Sequence, residues 1–326
     1  MDNICHTLAG LALAEAGLKK RTALGTATLL IGANVADVDA LSYFWGKLPA
    51  LAFRRGWTHG VLGVLVWPVA LTVLMLAWDR WVRRRRHPEA RPASPEGLLV
   101  LATVAVLSHP LLDLCNTYGV RLLMPFSGRW FYGDALFIVD PWVWLALLLG
   151  ILVSRAAARR NAPQPERAAR IALLGSFLYA SIMFVSGAGL RFAIVRVAER
   201  HGFLDARVMV APAPLNPFRR DVVVELPGAY TSGSVNLLSP ELLASDWKSI
   251  PMYPNLRRAR AASVTHQGMT YLNWARFPFY TEGGSCPARY VCMHDARYYR
   301  GDWSEVAVPL LGPLSSAPTP SAPERP

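Results

Sequence analysis

Hydrophobic positions in this 326-residue chain gather into long runs, and four of them predict membrane-crossing helices: 60–78, 97–107 continuing into the region of His109, 135–154 and 171–190. Each run approaches the roughly 20 residues that cross about 30 Å of hydrocarbon. Two shorter runs, 4–14 and 22–36, precede them. At about 1.5 Å per residue these fall short of that thickness, so they predict a short helical hairpin among the longer helices. After Arg191 the pattern changes to short β-rich pieces at 207–211, 221–226, 269–277 and 288–293, punctuated by Pro, Gly and Asn. The last stretch is rich in Pro, Ser and Ala, which predicts disorder. The expected architecture is an α-helical integral membrane domain of about six helical segments over 1–195, a small β-rich domain over 196–308, and a disordered tail over 309–326.

Composition agrees with a membrane class, since 53% of the residues are hydrophobic. The formal charge of +12 would suit a nucleic-acid binder only if the basic residues shared one soluble module. They lie instead beside the apolar runs: Lys19, Lys20 and Arg21; Arg80, Arg83 to Arg86 and Arg91; Arg155, Arg159, Arg160, Arg167 and Arg170. The alternate short loops hold only Lys47, Arg54, Arg55, Arg121 and Arg129. The positive-inside rule makes the first set cytoplasmic, with the N-terminus and the C-terminal domain outside. Asp2 and the absence of a basic leader argue against a cleavable signal peptide. An outer β-rich domain would permit a bridge between Cys286 and Cys292, whereas Cys5 and Cys115 read as packing residues.

Polar residues inside the apolar runs change the picture most. His109 and Asp113 are four apart, so a helix puts both on one face, within reach of one ion or of each other. Ionisable groups cost a few kcal/mol each at the centre of a membrane span and seldom stand there without a partner or a task. Pro110 between them predicts a kink or interruption. His6 falls in the first turn of the first helix, where capping by Asp2 or Asn3 would also account for it. Asp37 and Asp39 would diverge by about 200° on a regular helix, so a turn or extended piece is needed to bring them to one side. His59 follows Arg54, Arg55 and Trp57 just ahead of the third run. Asp140 opens the fifth segment, as either a helix N-terminal carboxylate or a further ligand.

The topology drawn from basic loops places all seven of these residues on one side of the membrane. Three imidazoles with three or four carboxylates suit Zn, Mn or Fe rather than an all-oxygen Ca site, and they suffice for two ions.

With these residues in view the chain resembles the bacterial membrane-bound metal-dependent hydrolases, which are more distantly similar to zinc-dependent phospholipases C. The resemblance rests on His6-Thr-Leu-Ala-Gly-Leu-Ala-Leu-Ala, Gly32-Ala-Asn-Val-Ala-Asp-Val-Asp39, Arg55-Gly-Trp-Thr-His-Gly60 and Ser108-His-Pro-Leu-Leu-Asp-Leu-Cys-Asn-Thr-Tyr-Gly119 with the following Arg121-Leu-Leu-Met-Pro-Phe. It continues to Asp140-Pro141 and, more loosely, to Arg276-Phe-Pro and Asp295-Ala-Arg-Tyr. It implies an inner-membrane enzyme with a divalent metal, Zn before Mn or Fe, held by His6, Asp37, Asp39, His59, His109 and Asp113.

The expected function is hydrolysis of a phosphoester in a lipid or lipid-linked substrate on the extracytoplasmic side. His109, Asp113 and Asp39 would serve the chemistry, and Arg54, Arg55, Arg121 or Arg129 would hold the phosphate. Nucleic acid is not an expected partner. Two alternatives remain: a non-catalytic scaffold with a structural metal, and an ion or proton carrier. A carrier would need polar groups continuing to the cytoplasmic side, and the third and sixth segments lack them.

Overall fold

The computed structural model describes residues 1–239, 247–253, 255–284, 286–299 and 304–310. Helix α1 (Asn3–Glu15) begins where the Asp2 carboxylate accepts the amides of Ile4 and Cys5. Helix α2 (Gly25–Gly32) returns against it, and small residues set the spacing. A Cβ at Gly10 would come within 2.8 Å of the Leu29 carbonyl oxygen, and one at Gly32 within 2.8 Å of the Ala105 Cβ. A 3-10 helix (Val35–Trp45) and α3 (Lys47–Phe53) lead to α4 (Val61–Trp78), which continues through a π-helical turn (Asp79–Arg83) into α5 (Arg84–Arg86). Then come α6 (Pro95–Leu114), α7 (Pro141–Arg159) and α8 (Arg167–Arg200).

Among the described residues, four helices are long and apolar enough to cross a membrane: Val61–Arg86, α6, α7 and α8. Their outward residues, among them Leu65, Val73, Leu152 and Phe177, are exposed, as lipid-facing side chains are. The hairpin of α1 and α2 packs among these four, as expected from its length. Of the kink or interruption expected at Pro110, the structure has no interruption: helix α6 runs through Pro110 to Leu114. Proline at that position removes one ladder bond without ending the helix.

The basic loops meet at one end of the bundle. Arg155 donates to Glu15 at 2.9 Å, Arg170 to the Ala16 carbonyl at 2.9 Å, Lys20 pairs with Glu166, and the Ser94 amide donates to Thr22 Oγ1 at 2.7 Å. The opposite end holds the starts of α1 and α7, where the Asp2 amide donates to the Ile138 carbonyl at 3.1 Å.

Strands β1 (Val208–Pro212), β2 (Arg219–Leu226), β3 (Ala229–Asn236) and β4 (Lys248–Pro251) form one sheet in that order, with β1–β2 and β2–β3 antiparallel. Val208, Val210, Val222, Val224 and Val235 lie on one face, as strand alternation dictates, and pack on Leu190, Ile194 and Val195 of α8. That shared core draws the sheet into the helical unit, so the first compact unit spans Met1–Ile250 rather than closing near 195.

The second unit starts at Pro251. It contains α9 (Leu256–Ser263), α10 (His266–Trp274) and an antiparallel sheet of β5 (Pro278–Thr281), β6 (Tyr290–Asp295) and β7 (Val306–Pro309). The 269–277 stretch, expected as a strand, is mostly helical. Thr265 caps it by accepting the Gly268 amide at 2.9 Å, and the buried Gly268, Tyr271 and Trp274 recur every three residues, a helical spacing. The expected disorder of the tail falls, from residue 311 onward, outside the described residues.

Cys286 and Cys292 are joined by a disulfide, with their Cα atoms 5.7 Å apart. Thiol labelling of protein from its native membrane, denatured without reductant, should therefore modify Cys5 and Cys115 alone. Labelling of all four cysteines would show that the bridge does not form there.

Candidate metal centre

The polar cluster is assembled from four separate stretches of chain at the end of the bundle away from the basic loops. Helix α1 supplies His6 from its capped first turn. The 3-10 helix supplies Asp37 and Asp39. The turn before α4 supplies His59, with the His59 and Gly60 amides donating to the Gly56 carbonyl at 3.1 and 2.7 Å. Helix α6 supplies His109 and Asp113, one turn apart and both fully buried.

The hydrogen bonds on the far side of each ring decide what faces inward. His109 Nδ1 lies 2.7 Å from the Ala33 carbonyl oxygen, which can only accept, so Nδ1 carries the proton and the neutral ring offers the Nε2 lone pair. The Thr58 hydroxyl donates to Asp39 Oδ2 at 2.7 Å and accepts from His59 Nδ1 at 2.8 Å, which turns His59 Nε2 inward as well. These two Nε2 atoms stand 3.0 Å apart. Asp113 Oδ2 is 3.3 Å from the first and 3.6 Å from the second of them, counting His59 first. Asp37 Oδ1 is 3.8 Å from each. The His6 ring stacks on His109 with centroids 3.8 Å apart, and its Nε2 is 3.4 Å from Asp113 Oδ1.

Asp37 and Asp39 thus straddle the His59 imidazole. Asp37 is on the inward side, and Asp39 Oδ2 is 3.2 Å from Nδ1 on the outward side. Burial alone would raise the Asp39 carboxyl, but hydrogen bonds from His59, Thr58 and the Arg55 amide overcome it and hold the pKa at about 2. Asp39 was expected as a ligand, but its carboxylate lies on the outward side of the His59 ring, against Nδ1 and away from the inward-facing Nε2.

The donor set fits a divalent cation. Among the described residues, His6 Nε2, Asp37 Oδ1 and Asp113 Oδ2 are buried side-chain atoms without a hydrogen-bond partner. Two nitrogens ligating one ion at about 2.0–2.1 Å are separated by roughly 2.9–3.4 Å, which the His59–His109 spacing matches. The ligand atoms fall into two overlapping groups, His6–His109–Asp113 and Asp37–His59–His109, each within 4.8 Å. His109 belongs to both yet has one free nitrogen, so the groups are not independent sites.

Charge around Asp113 is balanced by the Met1 amino group, which pairs with Oδ1, and by Arg55, whose Nη2 is 3.1 Å from the same atom. The Arg55 guanidinium also donates to Asn116 Oδ1 at 3.2 Å and lies over the Tyr118 ring at 4.7 Å. Sequence reading passed over Thr58 and Asn116 as site residues. The signal available was position alone: Thr58 is next to His59, and Asn116 follows Asp113 by three.

The four arginines expected to hold phosphate part company. Arg54 bridges the rim of the cluster, 3.5 Å from Asp37 Oδ1 and 3.3 Å from Asp39 Oδ1, and Arg55 lies within it. Arg121 instead donates to the Ala52 and Arg54 carbonyls at 2.7 and 2.8 Å and stacks on Trp130, so it clasps the loop that carries the cluster. Arg129 is exposed over Phe131. Asp140 belongs to neither ligand group: its carboxylate caps α7 by accepting the Trp142 and Val143 amides, and the Tyr179 hydroxyl donates to it at 3.3 Å.

A family model described as YdjM inner membrane protein matches residues 1–190, which contain the whole cluster. The protein of Bacillus subtilis (strain 168) called uncharacterized protein YfhP is 24% identical over 124 residues, 38% of this chain and 35% of that protein. The match therefore spans about a third of that relative's length. No solved structure matches.

Proposed function

The chain belongs to the YdjM inner membrane protein family, and from that premise we propose that its buried cluster is a metal centre that hydrolyses a phosphoester of a lipid or lipid-linked substrate. The observation that carries this reading is the pair of Nε2 atoms of His59 and His109 facing each other at 3.0 Å, with their outer nitrogens committed as donors. Two lone pairs at that separation repel each other, and either a proton on one of them or a cation held between them relieves it. We take the cation, because the carboxylates of Asp37 and Asp113 face the same point. His6, Asp37 and Asp113 would complete its shell, a mixed nitrogen and oxygen set that suits Zn, Mn or Fe. When bound, such an ion polarises a phosphoryl oxygen and makes water a stronger nucleophile near neutral pH.

The protein's own groups would position the reactants. Asp39 and Thr58 hold the His59 ring in one tautomer, so that a ligand lone pair is aimed before the ion arrives. Arg54 is placed at the rim with part of its side chain open, where a guanidinium can clamp two phosphate oxygens. Arg55 offsets the charge of Asp113 and leaves the second carboxylate oxygen for the ion.

A second reading, a scaffold held by a structural metal, is favoured by burial: His6, His59, His109 and Asp113 are at most 1% exposed. Hydrolysis separates the two. Purified protein given phospholipids and lipid phosphates in detergent with zinc or manganese should release phosphate or a phosphorylated headgroup, and a chelator should stop it. Bound metal without turnover of any such lipid would favour the scaffold.

We assign the cluster to the extracytoplasmic face, because the basic loops at the opposite end follow the positive-inside rule. Reporter tags placed after Arg86 and after Arg160 should then register cytoplasm, and one at Pro326 the outer side. A cytoplasmic signal from Pro326 would reverse the assignment.

A further inference from the structure

The 3-10 helix that supplies Asp37 and Asp39 runs for 11 residues, Val35–Trp45, whereas such helices seldom exceed about four. At three residues per turn, side chains three apart eclipse one another, so the element presents three ridges. Ala36, Asp39 and Ser42 share a buried one. Asp37 and Tyr43 belong to a second, and Arg54 holds both: its Nη2 is 3.5 Å from Asp37 Oδ1, and its Nη1 donates to the Tyr43 hydroxyl at 3.3 Å. Val38, Leu41 and Phe44 make the third. It is wholly apolar, and its exposure climbs from 43% through 53% to 86% along the chain. Trp45, at its end, is exposed as well, and no charged residue stands between Asp39 and Lys47.

Position says what covers this ridge. Asp39 ties the 3-10 helix to His59 at the start of α4, and Asp37 lies beside His109 near the end of α6. At those two ends the candidate spans expose Leu62 and Leu65 of α4 and Leu107 and Leu111 of α6, so the hydrocarbon reaches this level. An apolar ridge closing in Phe-Trp at the margin of a span has the make-up of an interfacial segment, since Trp rings favour the headgroup level. We propose that the 3-10 helix lies along the leaflet at the cluster's end, with Val38, Leu41 and Phe44 among the acyl chains and Trp45 at the headgroups. Arg54 contacts only the other two ridges, reaching Asp39 Oδ1 at 3.3 Å as well, so it stands on the side away from the chains, toward the phosphates. The seating does not rest on the proposed hydrolysis. Its consequence for the site does: the substrate is a lipid whose chains stay in the bilayer while its phosphate meets Arg54.

Photocrosslinking in vesicles of phosphatidylethanolamine and phosphatidylglycerol tests the seating with neither substrate turnover nor metal in the readout. Full-length protein carries photoreactive benzoylphenylalanine in place of Phe44. A second sample carries it in place of Val73, exposed within the α4 span, as the lipid-facing reference. After irradiation, mass spectrometry should find both chains heavier by one phospholipid, attached through an acyl chain. An adduct at Val73 with none at Phe44 would put the ridge in water and overturn the proposal. A crosslink between two copies of the chain, in place of the lipid, would overturn it in favour of self-association. Phe44 is exposed, so its replacement leaves the packing alone; should that variant not accumulate, Leu41 on the same ridge takes its place under the same criteria. Lipid adducts at Phe44 in protein that turns over no lipid would uphold the seating and count against the hydrolysis alone.

Discussion

His109→Ala protein is expected to insert normally and to lose its bound metal, with affinity falling by more than about 100-fold, beyond the range typical of an outer partner's loss. His109 is in both ligand groups, so no arrangement of the remaining residues replaces it. Asp113→Asn should lose metal as well, because an amide withdraws one negative charge from the ion while keeping the shape that Arg55 and Asn116 pack against. The double variant should be little worse than either single one, since groups serving one centre act as a unit and the second change has little left to remove. Elemental analysis of the purified proteins decides the matter. Full metal content in both single variants would remove the centre from consideration, whatever activity they retain.

The next largest effect is expected from a residue that touches no ion in this arrangement. Asp39→Asn should cost about 10–100-fold in metal affinity, because the carboxylate that fixes the His59 tautomer becomes an amide that can turn either face to the ring. A direct ligand would show a larger loss, comparable to that of His109→Ala, and equal losses would return Asp39 to the ligand shell. Asp140→Asn is the matched control. Asparagine caps helices as well as aspartate does, so neither metal content nor stability should move.

Charge and apolar length alone carry much of the architecture. Uninterrupted apolar runs specify spans because lipid leaves a backbone no other solution, so all four long helices were legible and only their ends shifted. The convergence of His6, Asp37, His59, His109 and Asp113 was legible for a related reason: each stands where an ionisable side chain is costly. What sequence could not convey is which atom of a residue faces which neighbour. Asp37 and Asp39 look equivalent in the chain, yet they lie on opposite sides of one imidazole. Arg54 and Arg121 look equally suited to phosphate, yet Arg121 is committed to two backbone carbonyls. The strand expected over 269–277 failed because a short apolar run suits either period, and the Thr265 cap tips it to helix. The domain boundary moved because the valines of β1–β3 find their partners on α8.

The ligand atoms come from four stretches of chain, with His6 and Asp113 more than a hundred positions apart. An ion held between them would act as a crosslink, fastening α1, the 3-10 helix and the turn before α4 to α6. Such an ion binds the folded arrangement and not the separated segments, so heat tolerance would rise with ion concentration by mass action. The gain is about 2.7 kcal/mol at a hundred times the dissociation constant. A melting curve would then serve as a binding curve, and ions could be ranked by the midpoint shift each produces, with no substrate in the tube.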